Sequence, residues 1–454
     1  MTLARDLARF VVSYPVEAIP DEALERAEMV IASTLASVAM GVSIDSTKII
    51  RSLAKEDSGK PEATVWFDTE KLPISAAAKC NAVSSDAAAS DDSDMRSIAH
   101  IGTIVSTTAV ATAERVGSTG LAVLQAMVLG YEVAGRIDES LTPGRMQRGF
   151  HGSVSTVFGG TVAVGKLLGL NETQMAHALG IAATSIGGMA IAADTSWARE
   201  YHAAMSAMLG VMAAQAAQRG FEVELAVLEA KRGFLSAMGG VSIEEINASF
   251  GSSWDICTDM AIKLMPGAHP FHAIAEAAEL AAIDADVSPQ DIEQVIISAA
   301  QMKDWMAPNH PRDLIGAAHS VVYFVAAAIV DRGFTWVHMT PEKMVDPVIA
   351  ELQNKVVFDQ NPTPLPDRFT HRHGGTVIIK LRDGRTISRT CKEAKGHSLR
   401  GVKWSEVDDK YRTLTAQAGI DASRANKILE VVHNFRRVPT VTSLTELLQE
   451  KGGQ

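Results

Sequence analysis

The length, composition and charge of this chain limit what it can be. Its 454 residues exceed one ordinary core, so we expect two domains, and 47% hydrophobic with only 5% aromatic residues favours closely packed helices. A formal net charge of -11 argues against nucleic-acid binding, because phosphate contacts need a basic surface. An acidic ligand would therefore need a local cationic pocket.

The cysteines and the apolar segments indicate the compartment. Cys80, Cys257 and Cys391 are too scattered for a disulfide framework or a paired metal-binding spacing. The N-terminal segment lacks the long apolar core of a signal peptide, and residues 121–133, although strongly apolar, do not predict a membrane span. The sequence predicts a soluble cytoplasmic protein with no membrane partner.

Helical periodicity dominates residues 20–261. The first predicted helix has an acidic first turn and a terminal glycine, and the next ones open at Ser or Asn or continue the same pattern. The predicted helices cover residues 21–41, 118–137, 155–170, 171–193 and 199–221. Their Gly and Ala content lets neighbouring helices approach closely.

The pattern changes after His272. A helix over 273–283 precedes a strand at 292–300, a short helix and strand within 340–358, and a hairpin over 375–394 that turns at Asp383-Gly384. From Val402 the sequence is helical again. We therefore expect a mainly α fold, with a large all-helical domain (1–266 plus 401–454) and a smaller α+β lid domain (267–400). Clefts between domains often bind small ligands.

No familiar catalytic motif is complete in the sequence. A P-loop, a G-x-S-x-G elbow and an H-E-x-x-H pair are all missing, so nucleotide chemistry is not expected. Scattered polar residues in apolar or turn-like segments remain as candidates: Asp91, Asp92, Arg96, His100, His151, Arg199, His202, Lys263, His269, His272 and Tyr323.

Several of these residues have an equally simple structural explanation. Asp91 could cap a helix, and Arg199 could be an exposed first-turn residue. His202 lies between Ala and Met in a helix, which favours a core histidine, and Tyr323 could be a packed tyrosine with a bonded hydroxyl. A functional role for any one of them requires that several converge.

Five segments, taken in order, resemble the MmgE/PrpD family over nearly the whole chain. They are residues 81–100, 149–188, 199–235, 263–280 and 377–411. That family includes 2-methylcitrate dehydratase, cis-aconitate decarboxylase and iminodisuccinate epimerase. The resemblance implies a large helical domain with a smaller α+β lid, a homodimer, and no metal or organic cofactor.

The chain departs from the family pattern at several positions, among them His100-Ile101, where the family has His-Pro. A family histidine and the Asp-aromatic-Asp-Asp-Thr run that follows it correspond here to residues 86–93, with Ala89 at the first acidic position. The family's Lys-x-x-His corresponds to Arg199 and His202, which keeps the positive charge but replaces an amine that could donate a proton. The changes at Ala89 and Arg199 weigh against strict 2-methylcitrate dehydratase activity.

Carried over residue by residue, the resemblance assigns roles to the candidates. It implies catalytic roles for His100, His151 and Tyr323, and loop-orienting roles for Asp91 and Asp92. The substrate-binding residues that it implies are Arg96, Arg199, Lys263, His269 and His272. Fixed cations beside histidines suit a polycarboxylate, because removing a proton next to a carboxylate needs a close base and stabilisation of the charge that develops.

The expected function is therefore a cofactor-independent hydro-lyase, similar to 2-methylcitrate dehydratase, acting on a hydroxylated di- or tricarboxylic acid. An isomerase, epimerase or decarboxylase of a related dicarboxylate is the alternative on the same scaffold, since all share a carbanion or enediolate step. A non-catalytic homologue that binds a carboxylate is a further alternative.

Overall fold

The protein is mainly α, as the sequence predicts, with 61% helix and 9% strand. The computed structural model describes residues 2–57, 59–96, 98–185, 187–240, 243–286, 288–300, 302, 308–363, 365 and 374–450. These residues divide into two compact units, the first within 1–193, 197–262 and 403–454, and the second within 194–196 and 263–402.

Helices make up most of the first unit, and the second unit combines helices with a sheet. Up to residue 262 they are α1 (Leu3–Ser13), α2 (Asp21–Gly41), α3 (Asp45–Asp57), α4 (Ile74–Ala87), α5 (Ile101–Val116), α6 (Gly120–Leu141), α7 (Gly144–Gln147), α8 (Ser153–Leu167), α9 (Glu172–Ala183), α10 (Ala190–Thr195), α11 (Ala198–Gln218), α12 (Phe234–Met238), α13 (Ile243–Asn247) and α14 (Asp255–Thr258). The later helices are α15 (His272–Ala285), α16 (Leu314–Ala318), α17 (Val321–Val330), α18 (Pro341–Met344), α19 (Pro347–Gln353), α20 (Trp404–Gln417), α21 (Ala422–His433) and α22 (Thr442–Leu448).

The strands form small sheets. They are β1 (Ala63–Thr64), β2 (Lys71–Leu72), β3 (Asp92–Asp94), β4 (Met260–Ile262), β5 (Ile292–Ser298), β6 (Val356–Phe358), β7 (Gly375–Leu381) and β8 (Thr386–Cys391). In the second unit the order is β6-β5-β7-β8, with β5 and β6 parallel and the other pairs antiparallel. The β7–β8 hairpin turns at Gly384, whose φ of 89° suits glycine, so the predicted hairpin is confirmed.

Small residues set the packing of the first unit. A Cβ placed on Gly130 of α6 would lie 2.6 Å from the carbonyl oxygen of Gly159 in α8, so the two backbones touch. Helix α8 also packs against α5, α9 and α11, which makes it central to the unit. The low aromatic content follows, because close backbone contact leaves little room for large rings.

The helix predicted over 171–193 is interrupted. Helix α9 starts at Asn171 with a capping box, as the sequence indicates, but it ends at Ala183. Beyond this end, the Gly188 carbonyl accepts the backbone N–H of His151 at 2.9 Å. The apolar periodicity of residues 171–193 did not predict this break, because the Gly188 carbonyl bonds to His151, which lies outside that segment.

A short sheet holds the polar loop that the sequence places before α5. In this loop β3 pairs antiparallel with β4, with Asp92 opposite Ile262. Ala89 and Ile98 adopt left-handed backbone conformations, with φ of 50° and 61°, which are uncommon for residues with a Cβ. Tertiary contacts therefore fix the shape of the loop.

In the part of the chain that the structure describes, α6 is long and apolar enough to span a membrane by length and composition, and α2 with α3 passes that test only as a pair bent by 94°. Of the apolar window of α6, 83% is buried inside the protein, as in a core helix.

Candidate active site

His100 and Asp91 form a hydrogen-bonded pair at the start of α5. The Nδ1 atom of His100 lies 2.5 Å from Asp91 Oδ2, which also accepts the Thr103 hydroxyl at 3.2 Å. Because the carboxylate accepts a hydrogen bond from Nδ1–H, the lone pair of the neutral ring is on Nε2, where the imidazole can act as a general base. The Asp91 side chain is fully buried, whereas that of His100 is 12% exposed and within reach of a ligand.

The two ring nitrogens of His151 have the opposite roles to those of His100. The Ser153 backbone N–H donates to Nδ1 of His151 at 3.3 Å, so the proton of the neutral ring is on Nε2. Burial, together with the nearby His100 and Arg145, lowers the pKa of His151 well below its usual value. His151 is therefore a neutral donor, suited to an oxyanion that develops beside it.

Three histidines stand in a row in the first unit. The ring centroids of His100 and His151 are 6.3 Å apart, and those of His151 and His202 are 5.4 Å apart. The buried Nδ1 of His202 has no hydrogen-bond partner among the described residues, and burial lowers the pKa of His202. A Cβ on Gly188 would lie 3.2 Å from this atom, so the glycine leaves room there.

Asp86 pairs with Arg199. The Arg199 Nε donates to Asp86 Oδ1 at 2.9 Å, and its Nη2 donates to the backbone carbonyls of Asp86 and Ala87 at 3.0 and 3.3 Å. Burial opposes the charge, but the Asp86 and Glu200 carboxylates raise the pKa of Arg199. The charged, buried guanidinium thus links α11 to the C-terminal end of α4.

Asp92 supports the N-terminus of α5. Its carboxylate accepts the backbone N–H groups of Gly102 and Thr103 at 3.0 and 3.1 Å, and the Tyr131 hydroxyl at 3.3 Å. These contacts satisfy orphan donors of the first helical turn. Since His100 immediately precedes that turn, Asp92 fixes its backbone.

Arg96, which the sequence predicts to bind substrate, lies among carboxylates of the protein. Its guanidinium makes ion pairs with Asp94, Asp255 and Asp259, and with Glu139. Only 5% of the residue is exposed. Four carboxylates surround this cation, so it neutralises an acidic cluster of the protein, and its role in substrate binding stays a prediction.

Two family models together match most of the chain. Residues 5–245 match the MmgE/PrpD N-terminal domain, and residues 265–436 match the MmgE/PrpD C-terminal domain. The chain belongs to the MmgE/PrpD family. The resemblance seen in the sequence is thereby confirmed.

The family relatives include enzymes. The chain is 26% identical over 463 residues to the cis-aconitate decarboxylase of Aspergillus terreus, covering 95% of this chain and 92% of that protein. It is 26% identical over 445 residues to the human cis-aconitate decarboxylase, covering 95% and 91%. The mouse cis-aconitate decarboxylase is 24% identical over 462 residues, covering 99% and 93%.

The remaining candidates of this MmgE/PrpD chain lie in the second unit. Lys263, His269 and His272 are buried, and the two histidine rings are 4.5 Å apart at the start of α15. Tyr323 is fully buried in α17, and its hydroxyl donates to the His338 carbonyl at 2.7 Å. In this structure the contact occupies the hydroxyl proton within the core, and the catalytic role of Tyr323 stays a prediction.

Sequence reasoning missed several residues that shape the MmgE/PrpD site. The buried Lys410 of α20 donates to the Ser90 carbonyl, next to Asp91, and to Ser33 Oγ at 2.7 Å. Arg145 donates to the Phe150 carbonyl at 2.9 Å and so holds the turn that carries His151. Lys410 and Arg145 both have polar neighbours in the sequence, so no signal there distinguishes them from surface residues.

One group in the first unit has the composition of a metal site. Among the described residues, ligand atoms of Asp86, Asp91 and His100 lie within 4.8 Å of one another. In this structure Arg199 binds Asp86, and His100 binds Asp91. These groups already balance each other, so we assign them to proton transfer.

Proposed function

We propose that the protein is a cofactor-independent lyase that acts on a di- or tricarboxylic acid by proton transfer at a carbon next to a carboxylate. The observation that supports this proposal is the pairing of Asp91 with His100 beside the neutral donor His151. One imidazole is set up to accept a proton and the other to donate a hydrogen bond, which is what this chemistry requires.

His100 and His151 have different roles in the proposed reaction. His100 Nε2 takes the proton from carbon, and Asp91 stabilises the imidazolium that forms. The electron pair spreads into the adjoining carboxylate as an enediolate, whose oxygen accepts a hydrogen bond from His151 Nε2. Preorganised donors of this type contribute about 10²- to 10³-fold to the rate.

The leaving group defines the reaction class. In a decarboxylation the bond to a carboxylate carbon breaks, carbon dioxide leaves, and the carbon that keeps the electron pair takes a proton from the His100 imidazolium, which has taken that proton from solvent beforehand. The names of the relatives favour this outcome. Dehydration is the second candidate, and the surroundings of Asp86 favour it.

Isotope exchange tests the proposal across a panel of candidate acids. We would incubate the protein in deuterated water with cis-aconitate, 2-methylcitrate, citrate, malate and aspartate, and follow C–H exchange, carbon dioxide release and alkene absorbance. Carbon dioxide indicates a decarboxylase and a new conjugated alkene a hydro-lyase. Exchange alone would show an isomerase or epimerase, and silence a binding protein; either result would overturn the lyase proposal.

A second His–Asp pair provides the matched control. His433 Nε2 lies 2.9 Å from Asp408 Oδ1, and the His433 side chain is 34% exposed. The His100→Gln variant should lose the activity, whereas His433→Gln should retain it. Equal activity of the two variants would remove His100 from the mechanism.

We also propose the homodimer that the family resemblance implies. Size-exclusion chromatography with light scattering should give twice the mass of the chain, and a monomer mass would overturn this.

A further inference from the structure

We propose that Asp86 is a specificity-determining residue, whose Oδ2 accepts a hydrogen bond from a substrate hydroxyl beside His100. This inference rests on the proposed function and deepens it, because it names a group that the acid must carry. In the family pattern a histidine occupies this position, so the carboxylate is a feature of this chain.

The two oxygens of Asp86 differ in their partners. Oδ1 accepts the Arg199 Nε at 2.9 Å, whereas Oδ2 is buried and has no hydrogen-bond partner in the described part of the chain. The residue is only 1% exposed. A buried carboxylate oxygen without a donor is costly, so a donor supplied by a ligand would be strongly favoured there.

The position of Oδ2 places that donor beside the base. It lies 3.9 Å from His100 Nδ1, but the proton of this nitrogen is directed to Asp91 at 2.5 Å. His100 therefore does not satisfy Asp86. A group bonded to Oδ2 would therefore lie close to the His100 ring, on the side of Nδ1.

The same geometry disfavours a substrate carboxylate at this position. Arg199 is the neighbouring cation, and its Nε and Nη2 are already bonded to Asp86 and to backbone carbonyls. A second carboxylate would meet the Asp86 charge at short range and would gain no donor from these two nitrogens. An ammonium group could donate, but Arg199 already balances the charge of Asp86, so a neutral hydroxyl fits better.

A bound hydroxyl gives the reaction a leaving group. His100 takes the proton from carbon, the electron pair forms the double bond, and the C–O bond breaks. The departing hydroxide takes that proton from the imidazolium, so one water is released and His100 is restored. The inference thus favours dehydration over decarboxylation on this scaffold.

Matched acids test the preference. We would measure the Kd of citrate against tricarballylate, which lacks only the hydroxyl, and of malate against succinate and aspartate. A site with a buried group that needs the hydroxyl should prefer the hydroxylated member by about 10²-fold or more. Equal affinity, or tighter binding of aspartate than of malate, would overturn the hydroxyl assignment.

The Asp86→Asn variant makes the test specific to this residue. Asparagine can keep an oxygen for Arg199 and present an N–H in place of Oδ2, so the preference for the hydroxylated acid should vanish or reverse. Asp408→Asn, the same change at the carboxylate of the His433 pair, should keep the preference. If Asp86→Asn kept it as well, Asp86 would not be the determinant; if that variant did not fold, the wild-type pairs would still decide.

The two proposals fail in different ways. Carbon–hydrogen exchange on acids with and without a hydroxyl alike would support the lyase chemistry and overturn the role of Asp86. A hydroxyl preference that depends on Asp86, without exchange on any acid, would support the role of Asp86 and overturn the lyase.

Discussion

The Nδ1 atom of His100 lies 2.5 Å from Oδ2 of Asp91, across a loop of eight intervening residues. The pairing of β3 with β4 and the left-handed backbone of Ile98 shape the loop so that the two side chains meet. The contact therefore does not require the two residues to lie on one face of a helix. A pair made in this way orients one imidazole and leaves its other nitrogen as a base. Its removal should affect the rate more than binding.

Asp91→Asn should lower kcat by about 10²- to 10⁴-fold, because the amide no longer selects the base tautomer or stabilises the imidazolium. Substrate Kd should change little, since Asp91 is buried behind His100. Steady-state rates and isothermal titration would measure the two quantities. Asp408→Asn, at the His433 pair, is the control, and a variant that retained full kcat would contradict the role of Asp91.

His151→Ala should lower the rate by about 10²- to 10³-fold, the cost of losing one oxyanion donor. His151→Gln should recover part of this loss, because its amide can donate in place of Nε2. Burial lowers the pKa of His151, so the neutral donor persists in wild type well below pH 6.5. Equal rates for the two variants would argue against a donor role.

The same pKa shift predicts how His151 affects stability. A histidine with a lowered pKa binds fewer protons when folded than when unfolded, so its contribution to stability is lost as the pH falls below 6.5. Relative to wild type, the melting temperature of His151→Gln should fall less on acidification from pH 7 to 5. An unchanged slope would contradict the shift.

Arg96→Met should destabilise the protein by about 3–5 kcal/mol, because it leaves buried carboxylates without their cation. Urea unfolding would measure this loss. Arg148→Met, at an exposed arginine that bonds backbone carbonyls, is the matched control and should cost much less. Normal stability of Arg96→Met with a raised KM would instead indicate that Arg96 is a substrate ligand.

Asp94 gives the acidic cluster a pH dependence. Burial raises the pKa of Asp94 to about 7, with Arg96 opposing and Asp259 adding to the effect. The folded state therefore binds the proton more tightly, and stability is lost as the pH rises from about 4 to 7. Asp94→Asn should show a smaller decrease in melting temperature between pH 5 and 8, whereas Asp45→Asn, at a side chain 75% exposed, should follow wild type. A decrease as large as in wild type would contradict the raised pKa.

Local chemistry and family pattern made much of this structure predictable. Asn171 caps α9 and Gly384 turns the hairpin, because both signals act within a few residues. The ion pairs of Arg96 could not be predicted from the sequence, because Glu139 and Asp255 are distant from it along the chain. The sequence marked polar residues correctly as unusual but could not show which of them neutralise each other.

Tyr323 and Asp86 also show that the sequence alone does not identify the bonding partners of a polar residue. Tyr323 has the residue type of an acid or base, yet its hydroxyl is bonded to the His338 carbonyl. Asp86 stands where the family pattern has a histidine, and it contacts Arg199, which stands where the pattern has a lysine. Two departures that lie far apart in sequence are one ion pair in space, which only the fold could reveal.

Lys410 should act as a positioning residue for the loop that carries Asp91. Its buried ammonium donates to the Ser90 carbonyl and to Ser33, so it ties α20 and α2 to the residue before Asp91. A hydrogen bond from a charged group is worth about 1.5–3 kcal/mol, so Lys410→Met should lower kcat by roughly 10- to 100-fold if the loop depends on it.

The form of the loss separates positioning from stability. Displacement of Asp91 should change the pH–rate profile and reduce kcat with KM nearly constant, and Lys410→Arg should restore part of the rate because it keeps a donor near Ser90. Lys427→Met, on the neighbouring α21 at an exposed position, is the control. A variant that melted earlier but kept the wild-type kcat and pH profile would show that Lys410 stabilises the fold without orienting Asp91.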